Sequence, residues 1–211
     1  MAEPLEYVDY RTDLKNFLVT PEMRSRFMRL DPGRDYTGHT HDLGHEIFLV
    51  MEGTIDFDVA GRKARLGPGQ ACVALVDETH CLRVVGDQPA TIYLSVTPHV
   101  APTHTWWNAD GTKKPPRYDT AVDGWERKPA TREMVDEQLA RVRALASAAD
   151  AALRVHERVA EELKRAIGAG DREAARAAVD AMWAGIYPTF RAAFAMAEVW
   201  NSLAPRATTE R

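Results

Sequence analysis

The feature that most constrains this chain is a change of hydrophobic period near residue 130. Before it, apolar residues come in short runs broken by Gly and Pro; after it, they recur in steps of three and four. A period of two belongs to a strand with one buried face, and a period near 3.6 to a helix with one apolar stripe. The two halves therefore demand different architectures, a sheet first and helices after it.

In the first half, "RSRFMRL" (24–30), "EIFLVME" (46–52), "TIDFDVA" (54–60), "QACVALV" (70–76), "HCLRVVG" (80–86) and "ATIYLSV" (90–96) read as strands. Pro32-Gly33, Gly53, Gly61, Gly67-Pro68-Gly69 and Gly86-Asp87 punctuate them as turns. Within 54–60, Ile55, Phe57 and Val59 alternate with Thr54, Asp56 and Asp58. Short strands at this even spacing predict an antiparallel sandwich or barrel over residues 1–98.

Residues 99–130 predict an irregular segment wrapping over a surface, anchored by Trp106, Trp107, Tyr118 and Trp125. The Trp106–Trp107 pair reads first as simple burial and second as a lid. Residues 131–205 predict a helical hairpin. Its first helix has a seam through Val135, Leu139, Val142, Ala146, Ala149, Leu153, His156, Ala160, Leu163 and Ile167. "GAGD" at 168–171 ends that helix and caps the next, whose buried side is expected at Val179, Met182, Ile186, Phe190, Ala193, Ala197 and Trp200, with a kink near Pro188. Two such helices expose apolar surface unless they pack on the barrel or on a second subunit, and a homodimer is the preferred expectation.

Chemistry concentrates in "GHTHDLGHEIFLVMEG", residues 38–53. His39 and His41 are alternate residues, so on a strand they project to the same side. Two imidazoles inside a barrel are costly without a partner, and a divalent cation resolves that cost. Alternation lets only one of His45 and Glu46 face inward, and Glu46 shares its parity with Phe48 and Val50. His80, opening another strand, is the natural candidate for a fourth ligand.

These residues resemble the first motif of the cupin superfamily: Gly33, five residues, His39-Thr40-His41, four residues, Glu46, six residues, Gly53. The second motif is matched at Gly69 and His80, while Leu75, Asp77 and Val84 stand where it has Pro, Gly and Asn. The resemblance covers residues 24–97 and leaves the helical half outside. It implies a jelly-roll-like antiparallel β-barrel, followed here by the helical extension. It also implies one divalent transition metal ion, Fe, Mn, Ni, Zn or Cu, held by His39, His41, Glu46 and His80. Its register favours Glu46 over His45 as the ligand. Cupins include dioxygenases, decarboxylases, isomerases and lyases of small oxygen-rich molecules. The expected function is accordingly a metal-dependent enzyme of the dioxygenase or oxidoreductase type, with substrate chelating the ion. Its rivals are a cupin lyase, isomerase or decarboxylase, and a metal-loaded binding or sensing module.

Around that core, Tyr36, His45 and His104 are candidates for proton transfer. Phe48, Arg83 and Tyr93 are candidates for contact with a small-molecule substrate. His99 reads as a loop anchor, and Cys72 and Cys81 as packing residues. The net charge of −4 gives no basic face for nucleic acid. No run approaches the roughly 18–20 apolar residues of a membrane span. The acidic N-terminus does not read as a signal peptide, and two cysteines make no disulfide framework, so a cytoplasmic protein is expected.

Overall fold

The computed structural model describes residues 5–34, 36–118 and 129–208. It divides into two compact units, Met1–Lys128 with Thr208–Arg211, and Pro129–Ala207.

Among the described residues the first unit has nine strands: β1 (Asn16–Val19), β2 (Arg24–Leu30), β3 (Tyr36–His39), β4 (His45–Glu52), β5 (Ile55–Val59), β6 (Arg62–Leu66), β7 (Ala71–Ala74), β8 (His80–Val84) and β9 (Ala90–Thr97). They form a five-stranded sheet in the order β1-β2-β9-β4-β7 and a four-stranded sheet in the order β3-β8-β5-β6. Every pairing is antiparallel. Alternation decides what enters the core: Phe48 and Val50 from β4, Ile55, Phe57 and Val59 from β5, Leu82 and Val84 from β8, and Ile92, Leu94 and Val96 from β9. The rings of Phe48 and Phe57, one from each sheet, meet at 5.4 Å.

Three strands, β1, β3 and β6, lie where the apolar pattern shows none. β6, "RKARL", is exposed along most of its length and is held by a hairpin whose turn, Ala60-Gly61, takes positive φ at both residues (51° and 79°). That is the two-residue turn whose twist suits adjacent strands, and the ion pair Arg65–Asp56 at 2.7 Å reinforces the register. β1 pairs with β2 and packs Phe17 on Phe27, ring centroids 5.2 Å apart. In the other direction, the strand expected over 70–76 ends at Ala74, because Leu75–Glu78 folds as a turn closed by the Glu78 N–H on the Leu75 carbonyl.

The segment after β9 lies partly against the ligand loop. Thr40 and Thr105 form an isolated antiparallel bridge, and the Trp107 indole N–H donates to Thr40 Oγ1 at 3.1 Å. Trp125 lies outside the described residues.

The second unit is a helical hairpin of α1 (Arg132–Ala169) and α2 (Arg172–Thr208). Thr131 caps α1 by accepting from the Met134 N–H, and Gly170, at φ 68°, closes its far end. Asp171 then caps α2 through the Ala174 N–H. A side chain at Gly185 would fall 3.0 Å from Val155 Cβ, and Arg206 reaches the Met134 sulfur. These two contacts fix the antiparallel register. α2 runs on through Pro188 and Pro205.

Of the expected seam, the hairpin buries Ala197 and half-buries His156, Ala160, Leu163, Met182, Ile186, Ala193 and Trp200, while its other large apolar members stay out. Ala152, Val159 and Ala166 of α1 and Ala178, Ala197, Leu203 and Ala204 of α2 are buried, whereas Val135, Leu139, Val142, Leu153, Ile167, Val179 and Phe190 are exposed. Small residues let the two helices approach closely, so the hairpin contact falls on alanines and the larger apolar side chains line an adjacent face. Among the described residues no helix is long and apolar enough to cross a membrane.

Candidate metal centre

His39 ends β3 and His80 opens β8, and the two are directly paired across the strands. Their rings accordingly stand only 4.4 Å apart. His41 follows one residue beyond the Thr40 bridge, and its carbonyl accepts from the Asp77 N–H at 3.0 Å, which ties the ligand loop to the turn before β8. Glu46 enters from the opposite sheet, on the inward parity of β4 with Phe48 and Val50. One potential ligand atom from each of His39, His41, Glu46 and His80 lies within 4.8 Å of the others.

The three imidazoles converge on a single oxygen. Glu46 Oε2 lies 2.7 Å from His80 Nε2, 3.0 Å from His41 Nε2 and 3.9 Å from His39 Nε2. Behind the cluster, His80 Nδ1 donates to the Glu78 carbonyl at 3.0 Å, and His41 Nδ1 donates to the Thr103 carbonyl. A carbonyl only accepts, so each Nδ1 carries a proton, which leaves Nε2 as the atom that meets the carboxylate or a cation. Without an ion, the Nε2 atoms of His41 and His80 hydrogen-bond to Glu46; a cation among these atoms would take their place. Three nitrogens and one oxygen also form a donor set suited to a divalent transition ion, so the residues fit one.

Electrostatics follow the same geometry. Burial pushes the Glu46 carboxyl up, but the hydrogen bonds and charge of His41 and His80 outweigh it and hold it well below the usual carboxylate range. Burial likewise pulls His80 down, while Glu46 outweighs it and leaves the imidazole raised.

The cluster has one accessible side. The side chains of His41, Glu46 and His80 are at most 2% exposed, whereas that of His39 keeps 18%. Phe48 lies beneath, its ring 5.6 Å from that of His80. His104 stands beside the cluster, 4.7 Å from the His39 ring and 4.9 Å from the His41 ring, and Trp106 stacks on it at 5.4 Å. Burial pushes the His104 imidazole down, to about 2, with the neighbouring histidines adding to the effect.

Other candidates are not brought to the cluster. His45 is exposed and accepts from the Val76 N–H at 3.1 Å. Arg83 has the outward parity of β8, opposite to His80, Leu82 and Val84. It lines a concavity on the outer side of the small sheet with Tyr36 and Cys81. The Tyr36 hydroxyl accepts from the Asp31 N–H at 3.0 Å. Tyr93 has outward parity on β9 and joins Phe17 and Phe27 in an aromatic patch, with its hydroxyl on Ser25 Oγ at 3.1 Å.

Residues 26–97 match the family model described as Cupin domain. This stretch is a cupin domain. A curated relative, "Polyketide synthase CurC" of Streptomyces cyaneus, is 32% identical over 91 residues, which are 41% of this chain and 59% of that protein. The chain thus spans 59% of the length of this relative. Among solved structures, an uncharacterized conserved protein with a double-stranded beta-helix domain from Klebsiella pneumoniae is 17% identical, with a TM-score of 0.42 over 45% of this chain and 91% of that one. KdgF from Halomonas sp. is 26% identical, with a TM-score of 0.38 over 40% of this chain and 78% of that one.

In the cupin domain the departures of the second motif have a local explanation. Asp77, where the motif carries Gly, takes φ 64°. Aspartate is among the side chains that enter this left-handed region at modest cost, so the turn before His80 keeps the shape a glycine would give it. Two contributors near the cluster carry no sequence signal: the Thr103 carbonyl behind His41, and Arg24, which is 3% exposed on β2.

Proposed function

We propose that the cupin domain is a metal-dependent enzyme acting on a small oxygen-rich molecule, with oxygen-dependent oxidation or cleavage as its reaction class. The observation that carries this reading is the convergence of three Nε2 atoms and one carboxylate from two facing sheets, with two imidazoles oriented from behind by backbone carbonyls. His39, His41, Glu46 and His80 would hold the ion. A divalent transition ion held there would supply Lewis acidity and, as iron or manganese, access to oxygen chemistry.

The chain's own residues shape what reaches that point. Substrate oxygens would enter on the side of His39, the most accessible of the four. Phe48 gives the pocket an apolar floor that excludes water. His104, kept neutral by burial, serves as a hydrogen-bonding wall rather than as a proton carrier, because so weak a base seldom holds a proton at neutral pH. Cys72 and Cys81 are in no disulfide, which supports a reducing, cytoplasmic setting. A homodimer through the helical hairpin completes the proposal.

The test is elemental analysis of protein purified without a metal-affinity step, followed by oxygen-electrode assays of the iron-reconstituted protein with enediols and β-dicarbonyl compounds. One ion per chain and oxygen uptake with one of these compounds are expected. His41→Ala should lose the ion while keeping its far-UV helical signal, since the helices form a separate unit. Bound metal without oxygen uptake would instead support a binding or sensing module. Full metal content in His41→Ala would overturn the ligand assignment.

A further inference from the structure

The segment after β9 lies beyond residues 26–97, the stretch that matches the cupin model, yet it reaches the ligand cluster. It is tethered at its base, where the His99 N–H donates to the Pro21 carbonyl at 2.8 Å. Further on, the Thr40 N–H donates to the Thr105 carbonyl at 3.0 Å, and the Thr105 N–H returns a bond to the Thr40 carbonyl at 2.8 Å. Thr40 stands between His39 and His41 in the chain, so this strap is pinned to the residue that spaces two of the ligands. Its tip then turns back: the Lys114 N–H donates to the Trp106 carbonyl at 2.8 Å, and Trp107 bridges to Lys113.

Two side chains fasten that tip. The Trp107 indole N–H donates to Thr40 Oγ1 at 3.1 Å, and Lys113 Nζ lies 2.6 Å from Asp42 Oδ2. The ion pair is well exposed on both sides and contributes little by itself. The indole bond is the firmer anchor, because Thr40 is only 1% exposed. What the anchor secures is seen at His41, whose Nδ1 donates to the carbonyl of Thr103, on the strap just before the Thr105 bridge. Thr103 is 5% exposed and His41 2%, so neither group can turn to water for a replacement while the strap is docked. An imidazole held at Nδ1 presents its Nε2 in one fixed direction. The strap and the ring therefore hold each other.

We infer that the strap, residues 103–113, is a working part of the metal centre, and that Trp107 is its positioning residue. Trp107 acts through Thr40 and the Thr103 carbonyl on the aim of His41. Metal binding and strap docking are then one coupled equilibrium: fixing the His41 ring favours the docked strap, and freeing the strap loosens the ring. The inference rests on the metal-dependent reading above and adds to it the element that retains the ion.

The test uses the full chain loaded with cobalt(II), whose visible absorption bands report ligand geometry, in the wild type, Trp107→Phe and Trp107→Phe with Lys113→Ala. Phenylalanine keeps an aromatic ring and removes the donor. Release of cobalt to excess EDTA is expected to be at least about fivefold faster in Trp107→Phe, the scale of one lost hydrogen bond, with altered visible bands. The double variant should release it faster still. In the wild type, the Thr105 amide should exchange its hydrogen more slowly with cobalt bound than without, as read by mass spectrometry. Equal exchange in the two forms would overturn the coupling, and that comparison needs no variant. Wild-type release and wild-type bands in Trp107→Phe would overturn the role of Trp107. A wild type that binds no cobalt would instead sink the metal reading on which the inference rests.

Discussion

Two imidazoles of the cluster, His41 and His80, are aimed by backbone carbonyls behind them, and burial pushes two further histidines, His99 and His104, down. Burial lowers His99 to about 4 and His104 to about 2, with the charges of Arg24 and the ligand histidines adding to the effect. In the unfolded chain both would titrate near 6.5. Below that pH the unfolded chain binds protons that the folded one refuses, so stability falls as pH drops. His80 acts the other way: its raised value contributes stability that is complete below 6.5 and lost as pH rises through the folded value. Glu46, depressed, contributes above its ordinary value near 4.5 and loses that contribution as pH falls through its folded one. Between pH 6.5 and 4.5, His99 and His104 therefore dominate. Metal-free protein should lose on the order of a few kcal/mol over that range in thermal denaturation, and His99→Gln should flatten the profile. Identical pH profiles for the two proteins would refute this account of His99. The cluster of His39, His41, Glu46 and His80 was legible as a motif spacing rather than as one strand face, since β3 ends at His39 and Glu46 stands on β4 of the opposite sheet. Arg83 and Tyr93 stand on the solvated side of the barrel, the simpler of their two readings: Arg83 alternates with His80, and Tyr93 with Leu94. Arg24 was hidden because "RSRFMRL" carries charge on both faces of its strand.

Turns, rather than strands, set the register of the barrel. Gly53 joins β4 to β5 at φ 79°, and a Cβ there would lie 2.8 Å from the Ala90 Cα. Gly53→Ala combines a left-handed backbone with a backbone clash, so a loss of about 2–4 kcal/mol in denaturant unfolding is expected. Asp77→Gly should behave in the opposite sense, neutral or up to about 1 kcal/mol stabilising, because glycine takes φ 64° without strain. A tolerated Gly53→Ala would show that the turn relaxes, and that the motif glycine is not needed for packing. At this scale the sequence was readable wherever apolar alternation met Gly or Pro. β6 escaped because its residues, Arg62 to Arg65, are stabilised by a hairpin turn and cross-strand ion pairs rather than by burial. The helices were legible as helices, with Thr131, Gly170 and Asp171 as caps. Their buried face was legible only in part, since alanine carries little weight in an apolar pattern yet permits the closest approach.

The hairpin's larger apolar residues remain to be covered, and helical geometry says where they lie. At 100° per residue, Val135, Leu139, Val142, Leu153 and Ile167 fall within about 80° of one another on α1, and Val179, Trp183, Tyr187 and Phe190 do so on α2. At the same 100° per residue, each stripe is centred about 160° round its helix from the Val155–Gly185 contact, so both stand on the outward faces of the hairpin. Trp183 lies 5.7 Å from Tyr187 and 6.3 Å from Phe190, an aromatic cluster standing in solvent. A second copy of the chain would present the same stripes, and the homodimer proposed above would cover one of them across a two-fold axis. Light scattering after size exclusion should give twice the chain mass of 23.5 kDa, and Trp183→Asp with Phe190→Asp should give the monomer with its metal content unchanged. The second readout matters, because a disrupted hairpin in a separate unit leaves the barrel's ligands in place, whereas general unfolding would release the ion. A monomeric wild type at tens of micromolar would show that these stripes serve some other partner.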